Sequence, residues 1–149
     1  MKLEWGLTAG NAEGEVDRLL AVSRKAEGGL PLTEAQARAV AQAHSEALRR
    51  TGRIEFGKSA AEKLAEIFAG SPWLTREEQG QQLAELAALF YDCRAELPDS
   101  LPDGWLLEQM RRAFDGPCRG CMELMNDCFL LQLPRHLRQG GRPEDFGWR

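Results

Sequence analysis

Three helix-start signatures through the middle of the chain constrain its fold more than any other feature. Thr33 with Gln36, Ser59 with Glu62, and Thr75 with Glu78 each place a hydroxyl residue three positions before a carboxylate or amide. In this pattern the hydroxyl accepts an orphan amide of the first helical turn, and the longer side chain reaches back to the cap. Apolar residues at helical spacing follow each signature. Behind Thr75, the residues Leu83, Leu86, Ala87, Phe90, Cys93, Arg94 and Leu97 form a wide stripe that is apolar apart from Arg94. Leu89 and Tyr91 broaden it, so a central helix over 75–97 is expected, with neighbours on more than one side. Behind Thr33, alanine dominates a stripe of Ala37, Val40, Ala41, His44, Ala47 and Leu48, whose small side chains bring a helix close to its neighbour. Leu64, Ile67 and Phe68 follow Ser59, with a stop at Gly70.

The remaining segments fit the same class. Asn11 is the expected cap of a first helix to about Ala26, with Val16, Leu19, Leu20 and Ser23 along one side. Gly14 weakens that start, at about 1 kcal/mol against alanine. Gly28-Gly29-Leu30-Pro31 breaks the chain, and Ser71-Pro72-Trp73-Leu74 makes a corner. After the loop at 98–102, Ser100 or Asp103 is expected to cap a helix that buries Leu106, Met110, Ala113 and Phe114. It stops at Asp115-Gly116-Pro117. A last helix is expected over 119–133, with Cys121, Leu124, Cys128, and Leu131 or Phe129 inward, until Pro134 ends or kinks it. Residues 1–11 and 140–149 read as loosely ordered unless Phe146 and Trp148 dock. The expectation is a single all-α domain over 1–149, a compact bundle of five to six helices joined by short loops. At most one very short extended segment interrupts it, where Arg53-Ile54-Glu55-Phe56 alternates polar with apolar between Gly52 and Gly57; Ile54 and Phe56 are expected to point inward.

Composition removes several function classes. A chain of 149 residues is long enough to bury roughly 68–70% of its unfolded surface. No apolar run approaches the ~20 residues of a membrane span, and the first residues lack the apolar core of a signal peptide. A cytoplasmic location is expected, without structural disulfides. The net charge of −4 argues against a sequence-independent hold on nucleic acid. Charge is uneven: acidic residues crowd 75–108, while Arg135, Arg138, Arg142 and Arg149 mark the tail. The two regions read as solvated faces, or as a docking contact within or between subunits.

The series Leu32-Thr33-Glu34-Ala35-Gln36-Ala37, Thr51-Gly52-Arg53-Ile54-Glu55-Phe56-Gly57, Ser71-Pro72-Trp73-Leu74, Leu86 to Phe90-Tyr91, and Cys118-Arg119-Gly120 resembles an uncharacterised family of small bacterial proteins, over roughly 30–137. The Gly-Arg-Ile-Glu-Phe-Gly block is its most specific piece. The resemblance implies a compact cytoplasmic helical domain, found mostly in anaerobic Gram-positive bacteria, and no activity. This chain departs from the pattern at Cys121, where relatives tend to have serine, and at Ala95, where an asparagine before Glu96 is usual.

Two places could carry chemistry. Cys118-Arg119-Gly120-Cys121 is a C-x-x-C at a helix start, where amides, dipole and Arg119 are expected to favour a thiolate. A redox reading wants a βαβ context that is missing. Zinc would need Cys118, Cys121, Cys128 and His136, in a spacing unlike the strong finger patterns. Otherwise Cys93, Cys121 and Cys128 are small buried hydrophobes. The second place is the glycine-bounded linker. Arg53 and Glu55 there could form a binding site with Tyr91, Arg94 and Glu96, a small-molecule site between the helices included. They could equally cap neighbouring helices or pair with Glu96 and Arg94. His44, on the alanine stripe, reads as a hydrogen-bonded core histidine, and His136 as a surface residue. No di-iron, catalytic-triad, Walker or dinucleotide pattern is present. The expected function is therefore non-catalytic, without a cofactor, through a protein partner or a homo-oligomer. Trp5, Trp73, Trp105 and Trp148 offer surplus aromatics. A thiol-redox or zinc protein using Cys118 and Cys121 is the alternative.

Overall fold

A computed structural model describes the backbone of residues 2–26 and 30–146, with side chains of the first helix described from Gly14 onward. The fold is all-α, with no strand among the described residues. Five helices, α1 (Lys2–Lys25), α2 (Glu34–Thr51), α3 (Ala60–Phe68), α4 (Gln79–Arg94) and α5 (Asp103–Asp115), are followed by a sixth, interrupted rod. That rod is α6 (Met122–Met125), a π-helical turn at Asn126–Leu130 and α7 (Gln132–Arg138). No described helix is long and apolar enough to cross a membrane.

The helix starts follow the sequence signatures in two cases of three. The boxes at Thr33 and Ser59 close in both directions. At Thr75 the hydroxyl accepts the Glu78 amide at 3.2 Å, but Gln82, not Glu78, reaches back to the Thr75 amide at 3.1 Å. The capped turn precedes the helix proper, so α4 begins at Gln79 and ends at Arg94, shorter than the expected 75–97. α1 instead begins at Lys2, which leaves Asn11 inside the helix and not at its cap. Each further residue adds a backbone hydrogen bond to an existing ladder, and this outweighs a local cap signal. The Gly28-Gly29 break, the Trp5 side chain and Trp148 lie outside what is described. Neither Ser100 nor Asp103 caps α5; Pro102 stands at the cap, and Asp103 is the first helical residue. A carboxylate there still complements the helix dipole, while its oxygens are free for other partners.

α2 lies along α4 in the most extensive packing of the molecule, and α1, α3 and α5 enclose that pair. The alanine stripe permits the close approach: Ala37, Val40, Ala41 and Ala47 are buried. Gly80 completes it, since a Cβ there would come within 2.9 Å of the Gln36 backbone. Leu19, Leu64, Phe68, Leu86, Phe90, Leu106, Leu107, Met110 and Phe114 fill the centre. Phe68 and Phe114 meet edge-on at 5.4 Å, a favoured aromatic geometry. The corner at 71–74 is tied to the end of α5: Ser71 donates to the Asp115 carboxylate at 2.6 Å, and Trp73 Nε1 donates to the Asp115 carbonyl at 3.2 Å.

The last rod departs from its expected register. Met125, Phe129, Leu130 and Leu133 face the core, whereas Cys121, Leu124, Cys128 and Leu131 are exposed. The π turn, closed by the Leu131 amide on the Asn126 carbonyl at 2.9 Å, accommodates an extra residue. It thereby brings the larger Phe129 and Leu130 onto the buried side. Pro134 neither ends nor breaks the rod, because it sits in the first turn of α7, where a missing amide costs little. It does deprive the Leu130 carbonyl of its usual α-helical donor. The buried Cys93 thiol donates to that carbonyl instead, at 3.5 Å. Burial, with help from Glu96 and Asp92, pushes the Cys93 thiol up to about 12 and keeps its proton on. Phe146 docks against Phe129 and His136, with ring centres at 5.2 and 5.3 Å.

Candidate functional site

Gly52 ends α2 in the left-handed conformation (φ 73°), a backbone state that costs glycine least. The chain then runs extended through the linker 53–57. Its alternation is real, but its register is the reverse of the expectation. Ile54 is 76% and Phe56 90% exposed, the two most exposed large hydrophobic side chains among the described residues. Arg53 and Glu55 turn inward. A two-residue alternation fixes which residues share a face, not which face is buried. Here the buried side is decided by polar partners already waiting on the helices.

Glu55 Oε1 accepts from His44 Nε2 at 2.7 Å. Its other oxygen accepts from the Tyr91 hydroxyl at 2.8 Å, Arg53 Nε at 3.0 Å and the Ala60 amide at 3.4 Å. The second nitrogen of His44, Nδ1, lies 2.5 Å from Glu15 Oε2 on α1. Ser59 Oγ lies 3.3 Å from Glu15 and 3.2 Å from Glu62, and Glu62 accepts from Arg18 at 3.1 Å. On the other side, Arg53 Nη2 donates to Asp103 at 2.5 Å, and Arg94 Nε donates to the second Asp103 oxygen at 2.9 Å. Arg94 also donates to the carbonyls of Leu97, Pro98, Asp99 and Leu101, which stitches the α4–α5 loop. A continuous path of charged contacts thus runs from α1 and α3, through α2 and the linker, to α5 and α4. Among the described residues its cations Arg18, His44, Arg53 and Arg94 match its anions Glu62, Glu15, Glu55 and Asp103 one for one.

The titrations follow from this packing. Burial alone would lower the His44 imidazole, but hydrogen bonds and charge from Glu15 and Glu55 outweigh it and raise it to about 9. Burial alone would raise Glu55, yet His44 and Tyr91 hold it below the usual carboxylate range. Burial and the Glu55 carboxylate push the Tyr91 hydroxyl well up, so it serves as a donor. For Asp103, Arg53 and Arg94 overcome the burial penalty and lower it. The Arg53 guanidinium also lies 5.6 Å from the centre of the Tyr91 ring, within cation–π range.

Of the expected linker site, Arg53, Glu55, Tyr91 and Arg94 do come together, whereas Glu96 does not. Arg53 and Arg94 meet at Asp103, and Glu96 is exposed, 3.7 Å from Arg138 of the tail. That pair is a weak surface contact between the acidic middle and the basic tail. The cleft beside Thr51, Arg53, Tyr91, Arg94, Leu97 and Asp99 measures about 230 Å³, below the usual size of ligand pockets. Glu15 and Asp103 were missed, and their signal was available. Glu15 adjoins the inward Val16, His44 sits in an alanine stripe and Arg94 in an apolar one. Ionisable groups of opposite sign on apolar faces of different helices are natural partners.

The cysteine segment behaves differently. Cys118 is buried, and burial, with Cys121 and Cys128 nearby, pushes its thiol up to about 11. The expected thiolate is therefore disfavoured, because loss of solvation outweighs the helix-start field. Cys121 stands at the cap of α6, its sulfur accepting the Leu124 amide at 3.4 Å, and is exposed, as is Cys128. His136 is half-buried and lies 2.9 Å from the Arg142 carbonyl. Among the described residues, no three His, Cys, Asp or Glu side chains are placed to hold a metal ion.

Fold and site together define an all-helical module whose helices meet at a buried ionic network. The chain belongs to DUF6323, a family of unknown function whose pattern matches residues 19–143. No curated protein and no solved structure matches it.

Proposed function

We propose that the protein is a non-catalytic cytoplasmic module that binds a protein partner, or a second copy of itself, through the 52–57 linker. The observation that carries this reading is the inverted register of the linker. Two large apolar side chains stand in water while the arginine and the glutamate of the same segment turn inward and are half-buried. Burying paired charges brings little net stability to a folded chain, whereas exposing an isoleucine and a phenylalanine forgoes about 1.5–3 kcal/mol of burial for each. That arrangement is economical only when the exposed pair gains its burial elsewhere. Trp73, Leu124 and Leu131 are less exposed, at 40%, 39% and 50%. The thiol reading draws no comparable support, because Cys118 is buried and keeps its proton.

The test is a photo-crosslinking residue at position 56, with a matched one at exposed Gln81 as control, together with sedimentation across a range of concentrations. The reading expects a defined adduct at 56 and none at 81, to another protein or to a second copy, abolished by Ile54→Ser. A strictly monomeric chain with no adduct at 56 would overturn it.

A further inference from the structure

We infer that His44 is a protonated clasp that positions the 52–57 linker, so that the display of Ile54 and Phe56 depends on the charge of its ring. Among the described residues, no backbone–backbone hydrogen bond involves residues 53–57. The linker is held by the side chains of Arg53 and Glu55, and by the Arg53 amide on the Thr51 hydroxyl at 3.4 Å. Both ring nitrogens of His44 face carboxylates, from Glu15 on α1 and Glu55 on the linker. An ionised carboxylate only accepts, so both nitrogens must donate, and only the imidazolium does so. The charge balance of the network requires the same state, since a neutral ring would leave it with one uncompensated anion in the interior.

Among the described residues, the groups facing His44 from each neighbouring element are these. α1 presents Glu15, with Arg18 beyond it engaged by Glu62. α3 and its cap present Glu62 and Ser59 behind Glu15. The linker presents Glu55 and Arg53, the latter shared with Asp103. α4 presents the Tyr91 ring at 5.5 Å. No cation among them is free to replace the imidazolium. When His44 loses its proton, one ring nitrogen turns a lone pair on a carboxylate, and in a low-dielectric interior that contact becomes repulsive. Loss at Nδ1 leaves Glu15, among the described residues, with the Ser59 hydroxyl, and loss at Nε2 frees Glu55 from α2; in either case the tie from α1 to the linker opens.

The clasp rests on the proposed role of the linker only for its functional meaning; its structural half is tested separately. Full-length protein carries 4-fluorophenylalanine at position 56 and ¹⁵N-labelled histidine. The expected result is a His44 ring that titrates near pH 9 and a position-56 fluorine signal that moves with the same midpoint. In His44→Gln, which offers one amide donor and no charge, the fluorine signal should already sit at its alkaline position at pH 7. A His44 titration near the ordinary 6.5, or a fluorine signal that ignores it, would overturn the clasp; should His44→Gln fail to fold, the wild-type titration decides alone. A linker that moves with His44 while position 56 crosslinks to nothing would remove the proposed function and leave the clasp standing. A crosslink indifferent to the His44 titration would do the reverse.

Discussion

The linker at 53–57 and the turn at 118–121 make an instructive pair. Each is short, bounded by glycine or proline, and carries reactive residue types at a regular spacing. The linker becomes a site because its polar side chains meet groups contributed by α2, α4 and α5, with Glu15 of α1 joined through His44. The cysteine turn does not, because its thiols diverge, Cys118 into the core and Cys121 and Cys128 outward. Local spacing proposes a site, and convergence from distant elements makes one.

Removing the most connected member of the convergent region should have the largest effect. Arg94→Ala leaves Asp103 short of one cation and four loop carbonyls short of a donor. A loss of about 3–5 kcal/mol is expected by urea denaturation, the range seen when one partner of a buried ion pair is deleted. A loss below about 1 kcal/mol would break the comparison at its strongest point.

A pH series of the same denaturation should sharpen it. The folded state raises His44 to about 9, so below pH 6.5 its contribution is fully present, and it declines as pH rises and is gone above about 9. Glu55 and Asp103 are lowered, so their contribution is present above the usual carboxylate range and is lost as pH falls below it. Stability should therefore be highest in mildly acidic solution. His44→Gln should flatten the alkaline limb and shrink the part of the acid limb that Glu55 supplies, leaving the part that Arg53 and Arg94 confer on Asp103.

The cysteine turn should answer weakly to the same treatment. Cys121→Ser keeps a side chain able to cap α6 and should shift stability by less than about 0.5 kcal/mol, as should Cys128→Ser. In the native protein a chromogenic disulfide reagent should titrate Cys121 and Cys128 promptly, and Cys93 and Cys118 only on unfolding. A fast-reacting Cys118 would restore the turn as a site of chemistry.

Much of the fold was legible in the sequence because helix starts are local: Thr33 and Ser59 needed only Gln36 and Glu62 three residues away. The alanine stripe of α2 likewise announced a close neighbour. The features that escaped were those decided by long-range competition. Whether Ile54 or Glu55 faces inward depends on Tyr91 and His44, 37 and 10 positions from Ile54 in the chain. Which side of the last rod is buried depends on the π turn and on the bulk of Phe129. The Cys118 proton depends on burial that no C-x-x-C spacing encodes. His44, Arg94 and Glu15 were each visible as ionisable residues on apolar faces, and read together they would have pointed to the network.

The central claim is that, in the linker, the polar side chains hold the fold and the apolar ones do not. Unfolding free energies of Glu55→Gln and Phe56→Ser, measured side by side on dilute protein, test it most directly. Glu55→Gln should lose about 2 kcal/mol, as expected for buried hydrogen bonds to a charged group, while Phe56→Ser should stay within about 0.5 kcal/mol of wild type. The reverse order, with Phe56→Ser the costly change, would place the phenylalanine in the core and contradict the account.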